Sequence, residues 1–161
     1  MMGELLGALG YAHRAGIVHR DIKPSNVMLD AGGRVKLVMD FAVARLIDTD
    51  RTGRTQVGAM GGTASCISPE QVKGLAADHR SDLFSSGVVL YQLLTNEAPF
   101  SGDKSTLLKR IVQEEPKRPS AIDTALTPEF DRVISRALAK APEARYQSAV
   151  DFSRALSEIG L

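Results

Sequence analysis

Residues 16–30 of the chain read GIVHRDIKPSNVMLD, a polar cluster enclosed by two apolar runs. Within this cluster Asp21 is followed by Lys23 and then by Asn26, so a proton acceptor, a positive charge and a neutral oxygen ligand lie on one short loop. Catalysis by proton transfer or around a metal ion needs such groups at fixed separations. The stretch therefore marks the part of the chain where a catalytic site is expected.

The residues after this loop predict a β-hairpin that brings a second acid back towards it. Short apolar runs at 27–29 and 35–38 flank DAGGR, whose glycines suit a tight reversal, and Asp40 follows the second run. Because a hairpin brings its two ends together, Asp21, Asn26 and Asp40 are expected to face one site. Phosphoryl transfer uses this set: a residue that orients the attacking hydroxyl, a cation that offsets phosphate charge, and oxygen ligands for magnesium.

The segments on either side of the hairpin are predicted to be a helix and a long loop. Apolar residues recur at helical spacing within residues 1–15, and Gly16 is a suitable helix stop. Residues 47–63 are rich in Gly, Thr and Asp without any period, which indicates a long mobile loop. Long loops inside compact domains are usually functional.

Beyond the loop the sequence is predicted to be helical to its end. The stretch DLFSSGVVLYQLLT is apolar on nearly every face, which is typical of a helix buried on all sides, and Ser81 is a candidate N-cap. Thr127 followed by Pro128 predicts another helix start. Ser148 with Asp151 predicts the capping box of the last helix.

Composition and charge exclude several classes of protein. The 161 residues contain 20 Lys and Arg against 19 Asp and Glu, a net charge of +1, so neither nucleic acid nor an anionic membrane is indicated as a partner. The single cysteine, Cys66, excludes an internal disulfide, and the three histidines lack metal-ligand spacing. There is no basic leader before an apolar core and no apolar run long enough for a membrane span, so a cytoplasmic chain is predicted.

Three motifs in order carry a resemblance to a known family. HRDIKPSN at 19–26 matches the protein-kinase catalytic loop, DFA at 40–42 is similar to the magnesium-binding D-F-G, and SPE at 68–70 is similar to the A-P-E that ends the activation segment. On these motifs the sequence resembles the bacterial eukaryotic-like (Hanks-type) serine/threonine protein kinases.

The resemblance implies a role for each polar residue of the loop. Asp21 would be the catalytic base, and Lys23 would be the cation that contacts the γ-phosphate of ATP. Asn26 and Asp40 would bind Mg²⁺, with Mn²⁺ as an alternative. Met28 would lie beneath the adenine ring.

The resemblance also implies roles within the activation segment. Thr63 would contact Asp21 and Lys23, and Arg20 would bind a phosphorylated threonine of the loop. A solvated loop that happens to be rich in threonine is the alternative reading. The candidate threonines are Thr49, Thr52 and Thr55.

Five further residues would have structural roles by the same resemblance. Asp82 would hold the backbone of the catalytic loop, and Arg145 would pair with Glu70. His19 and Phe41 would stack towards the small lobe of a kinase, so the chain is expected to expose an apolar patch there.

The fold implied is mainly α within the α+β family: a kinase-like large lobe, a helical bundle with a small β-hairpin at the catalytic loop. Residues 1–161 would be a partial kinase domain, divided into a catalytic loop (19–26), an activation segment (40–70) and a helical subdomain (71–161). The sequence contains no G-x-G-x-x-G loop and no V-A-I-K lysine, so the small β-rich lobe is expected to be absent.

Two functions are compatible with these observations. The first is a protein serine/threonine kinase that transfers the γ-phosphate of ATP to Ser and Thr hydroxyls of protein substrates, with little or no activity expected from this chain alone. The second is a non-catalytic kinase remnant that acts as a protein-binding module. In either case self-association, or a partner, is expected at the exposed lobe interface.

Overall fold

The computed structural model of the chain describes residues 1–31, 35–37 and 64–161. The helices in these ranges are α1 (Met2–Arg14), α2 (Pro69–Val72), α3 (His79–Thr95), α4 (Lys104–Gln113), α5 (Pro128–Ala137) and α6 (Ala149–Glu158). The strands are β1 (Val27–Leu29) and β2 (Val35–Leu37), and single 3₁₀ turns occupy Pro24–Asn26, Ala64–Cys66, Pro119–Ala121 and Pro142–Ala144. The described part of the chain is mostly helical, as predicted.

Helix α3 forms the centre of the hydrophobic core. Its side chains are buried on every face over most of its length, as the near-continuous apolar sequence predicted, and Leu83, Phe84 and Val88 have no exposed surface. Two polar residues near its start, Ser81 and Asp82, are also buried. Since buried polar groups require hydrogen-bond partners, these two residues must organise the structure around them.

The prediction that Ser81 caps α3 is wrong. The cap is Asp78, whose carboxylate accepts a hydrogen bond from the backbone N–H of Arg80 at 2.8 Å. Ser81 lies inside the first turn of the helix, and its hydroxyl donates to the Glu70 carboxylate at 2.5 Å. The sequence offers two residues with capping chemistry here, and the position of the helix start decides between them.

Helix α1 connects the core to the hairpin. Leu5 and Leu9 are fully buried, and α1 packs against α6, whose Phe152 is fully buried as well. The helix ends as predicted before Gly16, which adopts φ +74°. On the other side of the helix, the carboxylate of Glu4 accepts a bond of 3.2 Å from the backbone N–H of Val35 in β2.

The two strands form an antiparallel hairpin that follows residues 19–26. The register pairs Val27 with Leu37, Met28 with Lys36, and Leu29 with Val35. Val38, which was predicted to extend β2, and the predicted loop at 47–63 lie outside the described residues.

The remaining predicted helix starts are present. Thr127 precedes Pro128 at the start of α5, and the Ser148 hydroxyl accepts from the backbone N–H of Asp151 at 3.1 Å at the start of α6. Within the described ranges no helix is both long and apolar enough to cross a bilayer.

Replacing Gly87 by alanine is expected to destabilise the crossing of α3 and α5. A Cβ added at Gly87 would lie 2.8 Å from the Cβ of Ala137 and 3.1 Å from a methyl group of Leu138. Overpacking of this kind costs about 1–3 kcal/mol of unfolding free energy, more than the helix propensity that alanine adds.

Urea denaturation of Gly87→Ala measures this cost, and Gly7→Ala is the matched control. Gly7 lies in α1, and a Cβ there would meet no atom within 4 Å. The control is expected to gain about 0.5–1 kcal/mol, because alanine loses less backbone entropy than glycine on folding. Equal effects of the two substitutions would contradict the close packing at Gly87.

Candidate active site

The acid of the quoted loop is held by two neighbouring side chains. One carboxylate oxygen of Asp21 accepts from the Lys23 ammonium at 2.6 Å and from the side-chain amide of Asn26 at 3.0 Å. The same amide donates to the backbone carbonyl of Asp21 at 2.8 Å. Pro24 begins the 3₁₀ turn that brings Asn26 back over Asp21. The sequence places these three groups close in the chain, and the turn brings them into contact.

This cluster is accessible from solvent. The Asp21 and Lys23 side chains are 19% and 21% exposed, so a ligand can reach both. Positive charge beside an oriented carboxylate suits a reaction between an anionic group, which the cation contacts, and a hydroxyl nucleophile, which the carboxylate orients.

Asp82 of α3 fixes the backbone of the loop through hydrogen bonds. Its buried carboxylate accepts from the backbone N–H of His19 at 2.9 Å and from that of Arg20 at 2.7 Å. Arg20 has φ +65°, a left-handed conformation that costs a non-glycine residue of order 1 kcal/mol or more. The charge-assisted hydrogen bonds to Asp82 offset that cost. Asp82 of α3 therefore holds the backbone next to Asp21 in place. The implied contact between Asp82 and the loop is present.

His13 is a third partner of Asp82 that the sequence analysis did not identify. Its Nε2 lies 2.8 Å from an Asp82 carboxylate oxygen, and its Nδ1 is buried with no hydrogen-bond partner among the described residues. Because the carboxylate can only accept, Nε2 carries the proton. His79 packs edge-to-face on the His13 ring at 5.4 Å between centroids. No local pattern pairs His13 with Asp82, because the two residues are 69 positions apart in the chain.

The prediction that His19 forms part of an exposed apolar patch is wrong. His19 is only 3% exposed, and its Nδ1 accepts from the backbone N–H of Asp21 at 3.3 Å. Met28, in contrast, is 56% exposed on β1.

Gln71 links the end of the predicted activation segment to the same loop. Its side-chain oxygen accepts from the backbone N–H and the hydroxyl of Ser68, which is the capping box of α2. Its side-chain amide donates to the carbonyl of Arg20 at 3.2 Å. The residue in the left-handed conformation is therefore held on both sides, by Asp82 at its N–H and by Gln71 at its C=O. The sequence contained a sign of this role, because Gln71 follows Ser68 at the spacing of a capping box.

Glu70 and Arg145 form the buried ion pair that the resemblance implied. The two terminal nitrogens of the Arg145 guanidinium, Nη1 and Nη2, donate to the two Glu70 carboxylate oxygens at 2.8 and 2.7 Å, and neither side chain is more than 6% exposed. Burial alone would raise the pKa of Glu70, but hydrogen bonds from Arg145 and Ser81 lower it below its usual value.

Every N–H of the Arg145 guanidinium has a partner. Besides Glu70, it donates to the carbonyls of Ala139, Arg80 and Lys140 at 2.7, 3.1 and 3.0 Å. A buried charge pair stabilises a fold only when its remaining hydrogen-bonding capacity is satisfied, and here it is. The pair therefore fastens α2, the start of α3 and the segment after α5 to one another.

Cys66 is not a nucleophile in this arrangement. Burial raises the pKa of its thiol to about 11, so the thiol is protonated at neutral pH. Its backbone carbonyl accepts from the hydroxyl of Ser85 at 2.6 Å, which attaches the 3₁₀ turn to α3.

Asn26 has the donor chemistry that a magnesium ion requires. Its side-chain bonds to Asp21 both use Nδ2, so its amide oxygen is the atom suited to a metal. No cluster of three or more His, Cys, Asp or Glu side chains suited to a metal occurs in residues 1–31, 35–37 and 64–161. A magnesium ion is commonly held by one or two protein oxygens together with substrate phosphates, and Asn26 fits that mode.

Several predicted site residues lie outside the described part of the chain, so their predicted roles stay predictions. They are Asp40, Phe41, Thr49, Thr52, Thr55 and Thr63.

Comparison with known proteins identifies the family to which the chain belongs. The family described as "Protein kinase domain" matches residues 1–155, and the chain belongs to that family. Its similar relatives include a probable serine/threonine-protein kinase of Streptomyces coelicolor, 53% identical over 146 residues, and the serine/threonine-protein kinase PknB of Mycobacterium tuberculosis, 45% identical over 152 residues. A probable serine/threonine-protein kinase of Corynebacterium efficiens is 44% identical over 151 residues. The relatives are thus bacterial Hanks-type kinases.

These alignments cover most of this chain and a minor part of each relative. They span 90% of the chain and 22% of the Streptomyces protein, and 94% of the chain and 24% of PknB. The chain therefore corresponds to about a quarter of the length of the relatives it matches.

Replacing Arg145 by methionine is expected to cost about 3–5 kcal/mol of unfolding free energy, because Glu70 would remain as an unpaired buried charge. The wild-type contribution of Glu70 is present above the ordinary carboxyl pKa and is lost as pH falls through its lowered folded value. The substitution therefore removes most stability at neutral pH, and the difference from wild type shrinks in acid.

Chemical denaturation as a function of pH measures this difference, and Arg154→Met is the matched control. Arg154 forms an exposed ion pair with Asp151 at 3.5 Å, which is worth about 0–1 kcal/mol. A loss of less than about 1 kcal/mol at Arg145, similar to that of the control, would show that the buried pair does not hold the fold together.

Proposed function

We propose that this chain is the catalytic large lobe of a protein serine/threonine kinase, which transfers the γ-phosphate of ATP to Ser and Thr hydroxyls of protein substrates. One observation carries the proposal: the Asp21 carboxylate lies between Lys23 and Asn26 on a loop whose backbone Asp82 holds. Family membership and the relatives' names support the same reaction.

The chemistry assigns a separate task to each side chain of the loop. Asp21 accepts the proton of the attacking hydroxyl and orients that hydroxyl towards phosphorus. Lys23 offsets the negative charge that spreads over the phosphoryl oxygens during transfer. Asn26, together with Asp40, would hold Mg²⁺ (or Mn²⁺), which neutralises phosphate charge when bound with ATP.

The proposed division of the chain follows from these tasks. Residues 19–26 are the catalytic loop, 40–70 the activation segment and 71–161 the helical subdomain. Within this division Arg20 is the proposed partner of a phosphorylated Thr49, Thr52 or Thr55, and Thr63 is the proposed contact of the catalytic loop. Met28 on β1 is the proposed floor of the adenine site, and its exposure supports an open face there.

In an assay to which a kinase small lobe is supplied, Asp21→Asn is expected to lower phosphotransfer from radiolabelled ATP to a serine- and threonine-rich protein by about 10²–10⁴-fold, because general-base catalysis contributes that much. Calorimetry should show magnesium-dependent ATP binding that Asp21→Asn leaves unchanged and that Asn26→Ala weakens. Asp123→Asn, at an exposed aspartate far along the chain, is the matched control and should change neither property. Phosphotransfer that survives Asp21→Asn would contradict the assigned base.

A second function, a non-catalytic binding module, is favoured by one observation. Met28 is 56% exposed beside the catalytic loop, which suits a contact with a second copy of the chain or with another protein. If the surface carrying Met28 mediates self-association, light scattering should show a concentration-dependent increase in mass that Met28→Glu abolishes. Val150→Glu is the control, since Val150 is 54% exposed on α6. A monomer at all concentrations would contradict self-association.

A further inference from the structure

A solvent-open cleft lies on the side of the helical bundle formed by α5. It has a volume of about 730 Å³ and is bounded by the segment 115–119 after α4, by one side of α5, and by Ala139 and Ala144. The volume is within the range of protein ligand sites, about 300–1,000 Å³. None of the loop residues assigned to phosphotransfer lines this cleft.

The frame of the cleft is rigid. Three of the seven prolines of the chain line it: Pro116, Pro119 and Pro128. Proline fixes its own φ angle and restricts the residue before it, so the cleft wall has little freedom to lose when a ligand binds. A preformed wall lowers the entropic cost of binding.

The charges of the cleft are mostly positive. Lys117, Arg118, Arg132 and Arg136 line it, against the acidic residues Glu115 and Asp131. This excess of two positive charges is larger than the net charge of +1 of the whole chain. The cleft therefore differs in charge from the balanced surface elsewhere.

Asp131, one of the two acidic residues that line the cleft, already forms hydrogen bonds within the protein. One of its oxygens accepts from the backbone N–H of Ser120 at 2.9 Å and the other accepts from the Ser120 hydroxyl at 2.6 Å. Asp131 thereby stabilises the 3₁₀ turn beside the cleft, and each of its oxygens already has a protein partner.

The basic residues are available by contrast. The side chains of Lys117 and Arg118 are exposed and form no hydrogen bond or ion pair with any residue that the structure describes. Arg136 stacks over the ring of Tyr146 at 4.5 Å, which fixes the plane of its guanidinium and leaves the N–H edge for a ligand. Arg132 shares its charge with Glu129 at 2.9 Å on an exposed pair that a competing carboxylate can replace.

We propose that this cleft binds an acidic peptide segment of a partner protein. Carboxylates spaced along an extended segment match cations spread along a groove, and guanidinium groups bind carboxylates in bidentate geometry. A single small anion would engage only part of such a row. Nucleic acid is disfavoured as the ligand of this cleft. Domains that bind nucleic acid usually carry a large positive net charge, whereas this chain has a net charge of +1. The proposal is independent of phosphotransfer.

Fluorescence anisotropy of a labelled Glu-rich peptide with the folded 161-residue chain, in the absence of ATP, tests the proposal. The peptide should bind with an affinity that falls as salt increases, and a Lys-rich peptide of equal length should not bind. The double variant Lys117→Glu/Arg118→Glu should weaken binding about tenfold or more, because two attractive contacts become repulsive.

The matched control is Lys73→Glu/Lys109→Glu, which makes the same change of charge at two exposed lysines outside the cleft lining. Circular dichroism should show that both double variants remain folded, since all four side chains are exposed. Binding that the two variants weaken equally would overturn the proposal in favour of general charge attraction. Absence of binding, displacement of the peptide by inorganic phosphate at equal concentration, or tighter binding of a single-stranded oligonucleotide would overturn it as well.

Discussion

The buried carboxylate of Asp82 is the constraint on which the proposed site depends. It accepts from the backbone of His19 and of Arg20 and lies against the Nε2 of His13, so it joins α1, the loop at residues 19–26 and α3. A carboxylate in a low-dielectric interior is unfavourable unless several donors surround it. The backbone supplies two of those donors, the N–H groups of His19 and Arg20, in a loop where Arg20 adopts the left-handed conformation.

A second polar centre holds the rest of the frame. This centre is the ion pair of Glu70 and Arg145. Gln71, the neighbour of Glu70, donates to the carbonyl of Arg20. The two centres are thus linked through adjacent residues of α2. Apolar packing around Phe84 and Leu83 excludes water from both, which strengthens each hydrogen bond. The hydrophobic core supplies most of the burial, while these polar groups determine which arrangement of helices is adopted.

Much of this arrangement could be predicted from the sequence because local patterns carry it. The buried character of α3, the starts of α5 and α6, and the hairpin follow from periodicity, capping residues and glycines, and the resemblance gave the pairing of Glu70 with Arg145. Other features depend on distant residues. His13 lies in α1 and gives no sign of its partner in α3, and Ser81 lies inside the first turn of α3, where its hydroxyl donates to the distant Glu70 instead of capping the helix. The burial of His19 depends likewise on the packing around it and not on a local sequence pattern.

The position of Arg145 in the chain has a consequence for the order of folding. It lies 75 residues after Glu70, and the helix that packs on α1 begins only after it. Contacts between distant residues form slowly, because the intervening chain must be ordered first. During synthesis on a ribosome Glu70 and Ser81 emerge long before their cationic partner. No nascent chain that ends before Arg145 can neutralise Glu70 with its native partner, so closure of this core must wait until Arg145 has left the exit tunnel.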